Sequence, residues 1–167
     1  MVACRKAKAD GFVSIGGTVY PDSELILNQL KAKLPDELYR QSEAIVEQLK
    51  RGIITDRIPT ELNALFRPSV QPHLISWLKY NPARELPQLK IPILILQGST
   101  DIQVSVTNAK ILAKANESAE VVKIEGMNHI LKEISGDLQQ QVKSYGDPGL
   151  PIASELVEQI VGFAKGL

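Results

Sequence analysis

Three short apolar runs along the chain predict the strands of a parallel sheet. The run at residues 93–96 contains no polar position, which is typical of a strand covered by helices on both faces. Residues 12–17 predict a strand that ends in a glycine pair, and residues 119–124 predict a third. Helical patterns separate these runs. The sequence therefore indicates an α/β fold, with a short parallel sheet flanked by helices.

Residues 22–80 change to a pattern of helices interrupted by proline. Apolar residues recur there at helical spacing, at Leu25, Ile26, Leu30, Leu34, Leu38, Ile45 and Leu49. We expect Thr60 to cap a short helix and residues 69–80 to form another. Pro82 and Pro87 are expected to keep the next segment out of helix. Residues 22–80 as a whole are predicted to be a helical cap inserted after the first strand.

The remainder of the chain predicts helices around the sheet. Residues 105–116 are predicted to form a helix with Ser105 as its N-cap. Residues 91–124 are then expected to make a strand, helix, strand unit with a right-handed crossover. Residues 154–167 predict a closing amphipathic helix. Asp137 is expected to be a turn or capping residue.

Composition excludes several classes of protein. The chain has 167 residues, 44% of them hydrophobic, and a formal net charge of zero, so it predicts a globular domain without a basic surface for nucleic acid or membrane. Cys4 is the only cysteine, which excludes an intramolecular disulfide and a cysteine-rich metal site. No apolar run approaches the roughly 20 residues of a membrane helix, and no signal peptide is visible. We expect a soluble protein and leave its compartment open.

Two polar residues follow strands at equivalent positions. Asp101 comes just after the central strand, and His129 comes just after the third. Neighbouring parallel strands lie about 5 Å apart, so side chains at their carboxyl ends can meet. A carboxylate that holds one imidazole nitrogen leaves the other free to take a proton from a nucleophile. The pattern predicts a hydrogen-bonded Asp101–His129 pair.

The segments around these residues resemble a known family. Residues 97–104, QGSTDIQV, and residues 124–131, IEGMNHIL, are similar to the acid and histidine segments of the α/β-hydrolase fold, in particular its esterase, lysophospholipase and serine-aminopeptidase-like branch. In that family the order along the chain is Ser, acid, His. The resemblance implies that Asp101 and His129 are catalytic, that the substrate is a carboxylic ester or small amide, and that no metal or organic cofactor is needed.

The resemblance departs from the family's pattern at the nucleophile. No Gly-x-Ser-x-Gly occurs in the sequence. Two residues before Ser14, where the motif requires a glycine, the chain has Phe12, and Ser99 belongs to the segment just before the acid. We therefore expect residues 1–167 to be the C-terminal part of an α/β-hydrolase domain, without its nucleophile and inactive alone. The alternative is a non-catalytic module that binds a ligand or partner through the helical cap.

The other chemically notable residues are expected to be structural. His73 is expected at the cap surface or in packing, and Cys4 is expected to be a buried, inert thiol. Trp77 and Tyr80 are expected to pack, with a role in lining an acyl pocket as the alternative. Glu125 is expected to be solvated, with a supporting role beside His129 as the alternative.

The first strand also predicts assembly. In the sheet order of the family that the sequence resembles, residues 12–17 would pair with the nucleophile's strand on one side, and the sequence shows no such strand. Neither lysine nor proline protects this edge, and an open apolar edge pairs readily with another chain. We expect a homo-oligomer, most simply a two-fold dimer.

Overall fold

The computed structural model describes the backbone of residues 1–167 and every side chain except that of Asp22. The chain divides into two compact units. The sheet unit consists of Met1–Val19 and Pro82–Leu167, and the helical unit consists of Tyr20–Asn81. The helical stretch predicted at residues 22–80 lies within the second unit.

Three parallel strands form the sheet, in the order β1 (Phe12–Ile15), β2 (Ile93–Gly98) and β3 (Ala119–Ile124). Phe12 pairs with Ile93, and Ile93 pairs in turn with Ala119. All residues of β2 are buried, as its unbroken apolar run predicts. The predicted fold class, α/β with a short parallel sheet flanked by helices, is confirmed.

The helices, in chain order, are α1 (Val2–Ala7), α2 (Asp22–Lys31), α3 (Asp36–Lys50), α4 (Asn63–Phe66), α5 (Gln71–Leu78), α6 (Pro82–Glu85), α7 (Val106–Lys114), α8 (Leu138–Ser144) and α9 (Ser154–Lys165). Short 3-10 helices occupy Thr60–Leu62, Pro68–Val70 and Leu86–Gln88. The sequence pattern does not predict α8.

Alternate residues of β2 point into two different cores, because successive side chains of a strand face opposite sides of the sheet. Ile93 and Ile95 pack on one face with a cluster that includes Leu89, Ala109 and Leu112. The opposite face carries Leu94 and Leu96, which pack with a cluster that includes Ile124, Met127 and Leu156. Burial on both faces fixes the strand, and therefore the position of the loop that leaves it.

The helical unit has a core of its own, contributed by α2, α3, α5 and the short helices between them. Its centre includes Val46, Leu49 and Phe66, none of which has any exposed surface. The sequence periodicity of α2 and α3 predicts this core, because their apolar residues repeat at helical spacing.

Two expectations about helix ends are wrong. Thr60 does not cap a helix: Pro59 occupies the N-cap position and Thr60 is the first residue of a 3-10 helix. Pro82 does not prevent a helix but begins α6, and Pro87 lies in the first turn of the next 3-10 helix. Proline is favoured at a first helical position because the N–H that it lacks has no partner there.

Two expectations about burial also need correction. Trp77 is 45% exposed, and its ring lies 6.1 Å from that of His73, so it belongs to the surface of the helical unit and does not pack in its core. Cys4 is a free thiol that is only half-buried, against the core of the sheet unit.

In the part of the chain that the structure describes, no helix combines the length and the apolar character needed to cross a membrane.

Candidate active site

Asp101 is held by the turn that follows β2. In this acid loop (residues 99–105), Asp101 Oδ1 accepts hydrogen bonds from the backbone N–H groups of Gln103 and Val104, both at 2.8 Å. Short polar side chains favour this geometry because they can bond the backbone just ahead of them. The Asp101 side chain is only 2% exposed. The loop therefore presents a buried carboxylate with its second oxygen, Oδ2, directed away from the turn's N–H groups.

His129 lies on a tight turn after β3. In this histidine loop (residues 125–134), Asn128 bonds Lys132 twice, through its own N–H to the Lys132 carbonyl at 2.9 Å and through Oδ1 to the Lys132 N–H at 3.0 Å. Leu131 adopts a φ of 66°, a conformation that is strained for a residue with a side chain. Asn128 is buried, and its amide donates to the Ser144 hydroxyl on α8 at 2.9 Å.

The two loops bring the predicted pair together. His129 Nδ1 lies 3.0 Å from Asp101 Oδ2, within hydrogen-bonding distance. Because a carboxylate only accepts, a neutral His129 is expected to carry its proton on Nδ1 and to leave Nε2 as an acceptor. The histidine side chain is 32% exposed, so the pair combines a buried acid with an accessible base.

Gly98 makes the approach of the two loops possible. A Cβ atom at this position would lie 2.0 Å from the carbonyl oxygen of Met127. The Thr100 N–H donates to that same carbonyl at 3.2 Å, and the Ser99 N–H donates to the Ile124 carbonyl at 3.0 Å. The end of β2 thus packs directly against the backbone that leads to His129. The sequence pattern predicts this glycine only as the end of a strand.

The backbone that leaves β1 also reaches the pair. Gly16 has a φ of 57°, and a Cβ atom there would lie 3.5 Å from Asp101 Oδ2 and 3.6 Å from His129 Nδ1. All three strands therefore end at the same place, as parallel strands of one sheet do. The glycine pair after β1 is visible in the sequence, but its contact with Asp101 and His129 is not.

Other candidate residues lie outside this arrangement. Glu125 is exposed and pairs with Lys123. The pKa of its carboxyl is held below the usual range by the hydrogen bond from Lys123 and then by that from Ser99. Asp137 caps α8, accepting from the Gln140 N–H at 3.0 Å. Among the described residues, no group of three or more His, Cys, Asp or Glu side chains could hold a metal ion.

Comparisons with known proteins find structural neighbours only. No family profile and no curated protein matches the sequence. Solved structures that match include an alpha/beta fold family hydrolase from Bacillus anthracis, at 15% identity and a TM-score of 0.45, over 77% of this chain and 55% of that one. A thermophilic esterase from Thermogutta terrifontis matches at 15% identity and a TM-score of 0.41, over 85% of this chain and 57% of that one.

An enol-lactonase from Burkholderia xenovorans matches at 14% identity and a TM-score of 0.39, over 74% of this chain and 51% of that one. These neighbours are α/β-hydrolase fold proteins. The sequence motifs resemble the same family. The chain spans about half the length of the solved structures that it matches.

Proposed function

We propose that this chain carries the acid and the base of a serine hydrolase, with Asp101 as the acid and His129 as the base. The single observation that carries the proposal is the 3.0 Å contact between His129 Nδ1 and Asp101 Oδ2. A buried carboxylate and an accessible imidazole at the carboxyl ends of adjacent parallel strands fit these roles.

The chemistry would follow the general scheme of a Ser-His-Asp triad. His129 Nε2 takes the proton of a serine hydroxyl while the serine oxygen bonds to the substrate's carbonyl carbon. The protonated imidazole, stabilised by the Asp101 carboxylate, then gives that proton to the departing alkoxide or amine. Water attacks the acyl-enzyme with its proton passing to His129, and the serine leaves with that proton. The substrate class is a carboxylic ester or small amide.

The serine of this scheme is proposed to lie outside residues 1–167. No Gly-x-Ser-x-Gly occurs among them. Ser14 is a buried residue of β1, and the Ser99 hydroxyl accepts a hydrogen bond from the Gly126 N–H at 2.9 Å. Ser14 is therefore shielded from solvent, and the Ser99 hydroxyl is held in the contact between the acid and histidine loops. We likewise propose that the N–H groups that would stabilise the oxyanion lie outside residues 1–167.

Reading the coding sequence that precedes Met1 tests this proposal first. We expect an in-frame Gly-x-Ser-x-Gly there, and we expect the extended protein to hydrolyse p-nitrophenyl acetate or butyrate. His129→Ala and Asp101→Asn should each lower its kcat by about 10⁴-fold or more, as in triads of this kind. The 167-residue chain alone should show only background turnover.

Two results would contradict the proposal. One is an extended protein whose turnover is unchanged by His129→Ala. The other is turnover by the 167-residue chain alone that is well above background and abolished by His129→Ala, because the chain would then hold a nucleophile of its own.

We further propose that the isolated chain self-associates through β1. In the described sheet this strand pairs with β2 alone, and Ile15 is 38% exposed. A second copy could pair with the open edge, forming a two-fold dimer.

Ile15→Lys should then weaken dimerisation in sedimentation velocity at micromolar concentration. Ile111→Lys, at an equally exposed position (39%) on α7, should not; a wild-type chain that is monomeric under these conditions would refute the dimer.

A further inference from the structure

Gln97 is a polar residue in an otherwise apolar strand. It precedes the terminal Gly98 of β2, and its side chain has no exposed surface. Its amide nitrogen, Nε2, donates to Asp101 Oδ2 at 3.0 Å and to the Val104 carbonyl at 2.9 Å. A buried amide thus reaches from the sheet into the acid loop and contacts the oxygen that His129 also contacts.

The orientation of this amide is determined by its neighbours. The two groups within ordinary hydrogen-bonding distance of Nε2, a carboxylate oxygen and a backbone carbonyl, can only accept. Turning the amide over would place its own oxygen against both of them. The NH₂ group of Gln97 must therefore face Asp101.

The oxygen end of the Gln97 amide, Oε1, lowers the stability of the fold. Among the described residues, Gln97 Oε1 has no hydrogen-bond partner. A buried acceptor without a partner destabilises a protein, and an apolar side chain of similar size would avoid this loss. The Oε1 end therefore gives no reason for glutamine at this position, and the reason lies with the Nε2 contacts to the Val104 carbonyl and to Asp101.

Those contacts complete the surroundings of the Asp101 carboxylate. Oδ1 receives the N–H groups of Gln103 and Val104. Oδ2 receives Gln97 Nε2 and faces His129 Nδ1, each at 3.0 Å. An ionised carboxylate has about four acceptor positions, so these groups occupy all of them. Without Gln97, the only hydrogen-bond partner that Oδ2 keeps among the described residues is the histidine itself, which is partly exposed to water.

We infer that Gln97 is a positioning residue: it fixes Asp101 Oδ2 where that oxygen can hold His129 as its Nδ1–H tautomer. This inference rests on the proposed function, in which the Asp101–His129 pair acts as acid and base. Gln97 itself contacts neither substrate nor the reacting nitrogen, Nε2 of His129. Its effect on the reaction would pass through the carboxylate.

The test is the tautomer of His129, measured by ¹⁵N and ¹H NMR of the histidine side chains. The chain has two histidines, so His73, in the helical unit, is an internal reference. In the wild-type chain at a pH where His129 is neutral, we expect the Nδ1–H tautomer and a slowly exchanging Nδ1 proton. Gln97→Met keeps the length of the side chain and removes the donor. It should shift His129 towards a mixture of tautomers and speed the exchange of that proton, with His73 unchanged.

Gln141→Met is the matched control. Gln141 is 3% exposed, its Oε1 is also without a partner among the described residues, and its Nε2 donates to the Ile134 carbonyl at 3.0 Å. The substitution makes the same chemical change at Ile134, the last residue of the histidine loop, without touching Asp101. We expect the His129 signals to be as in the wild type. If Gln97→Met does not fold, Gln97→Leu provides the same comparison.

The outcomes separate this inference from the proposed function. If wild-type His129 is Nδ1–H and remains so in Gln97→Met or Gln97→Leu, Gln97 does not position the pair and the inference is wrong. If Gln141→Met changes His129 as much as Gln97→Met does, the effect is not specific to Gln97 and the inference is also wrong. If wild-type His129 itself lacks the Nδ1–H tautomer, the Asp101–His129 pair fails, and the proposed function fails with it.

Discussion

Each of the two units buries a glutamine completely, and the two side chains are used differently. In the helical unit, both ends of Gln71 are bonded: Oε1 accepts from the Thr55 N–H at 2.9 Å, and Nε2 donates to the Thr55 and Phe66 carbonyls at 2.7 Å. In the sheet unit, only the Nε2 end of Gln97 has hydrogen-bond partners among the described residues, and one of them is the carboxylate of Asp101.

The difference shows what a buried polar group contributes in each place. Gln71 satisfies backbone groups that would otherwise be buried without partners, so it stabilises the fold of its unit. Gln97 leaves an acceptor without a partner and holds an oxygen that faces His129. We interpret the first as a structural side chain and the second as one that sets the geometry of the candidate site.

The largest effect is expected where the backbone itself sets that geometry. Gly98→Ala would place a Cβ atom 2.0 Å from the Met127 carbonyl oxygen, and the backbone of one loop must move. We expect a loss of about 3 kcal/mol or more in the free energy of unfolding, measured by urea denaturation, or a failure to fold.

Gly162→Ala is the control for this substitution. A Cβ atom there meets nothing within 4 Å, and alanine in the interior of α9 should be neutral or stabilising by up to about 1 kcal/mol. Equal destabilisation by the two substitutions would mean that the contact between Gly98 and Met127 does not constrain the loops.

Gln71→Met should come next. The substitution removes all the bonds of the Gln71 amide and leaves the Phe66 carbonyl and the Thr55 backbone groups without their partner. Each buried group left unpaired costs about 1–3 kcal/mol. Because Thr55 is only partly buried, we expect a total loss of about 2–4 kcal/mol in urea denaturation. A loss below about 1 kcal/mol would remove the contrast between the two glutamines.

Gln97→Met should cost much less. The Val104 carbonyl and Asp101 Oδ2 each lose a donor, but Oδ2 keeps its contact with His129 Nδ1 and the unpaired Oε1 is removed as well, so the losses are largely offset. We expect the free energy of unfolding to change by about 1 kcal/mol or less, in either direction. A loss as large as that of Gln71→Met in the same denaturation series would show that Gln97 is chiefly a stabilising residue.

The smallest effect is expected for an exposed polar contact. Lys123→Gln removes the main cause of the lowered pKa of Glu125, and that pKa should rise towards its ordinary value. A carboxyl whose pKa is lowered by folding stabilises the folded state above its unfolded pKa and loses that contribution as the pH falls through its folded pKa. Because the Glu125 side chain is 70% exposed, the effect on unfolding should be slight. Titration of the carboxyl by ¹³C NMR checks this, and an unchanged pKa would contradict it.

The parts of the site that the sequence predicts are those that depend on local pattern. The buried run of β2 fixes a strand end, Asp101 follows it, and His129 follows the next strand, so their meeting could be predicted from parallel pairing alone. The glycines differ: the roles of Gly16 and Gly98 depend on backbone from distant segments, and nothing next to them in sequence reveals those neighbours.

The features that the sequence predicts wrongly or does not predict also depend on contacts that the local pattern does not show. Pro82 is predicted to prevent a helix, because a sequence pattern does not show whether a proline falls inside a helix or at its first position. The helix α8 gives only one signal, its capping residue Asp137, and it is fixed instead by contacts such as the hydrogen bond from Asn128 to Ser144. Gln97 is part of the segment that resembles the family's acid motif, but the partners of its amide depend on how the acid loop folds back on β2.

We propose that Asp101 holds His129 with its proton on Nδ1, which leaves Nε2 free to act as a base. Asp101→Asn tests this arrangement, because an amide of the same shape can present its NH₂ group to Nδ1. In ¹⁵N NMR of the chain at a pH where His129 is neutral, we predict the Nδ1–H tautomer in the wild type and the Nε2–H tautomer in Asp101→Asn, with His73 unchanged. The same His129 tautomer in both proteins would contradict the claim.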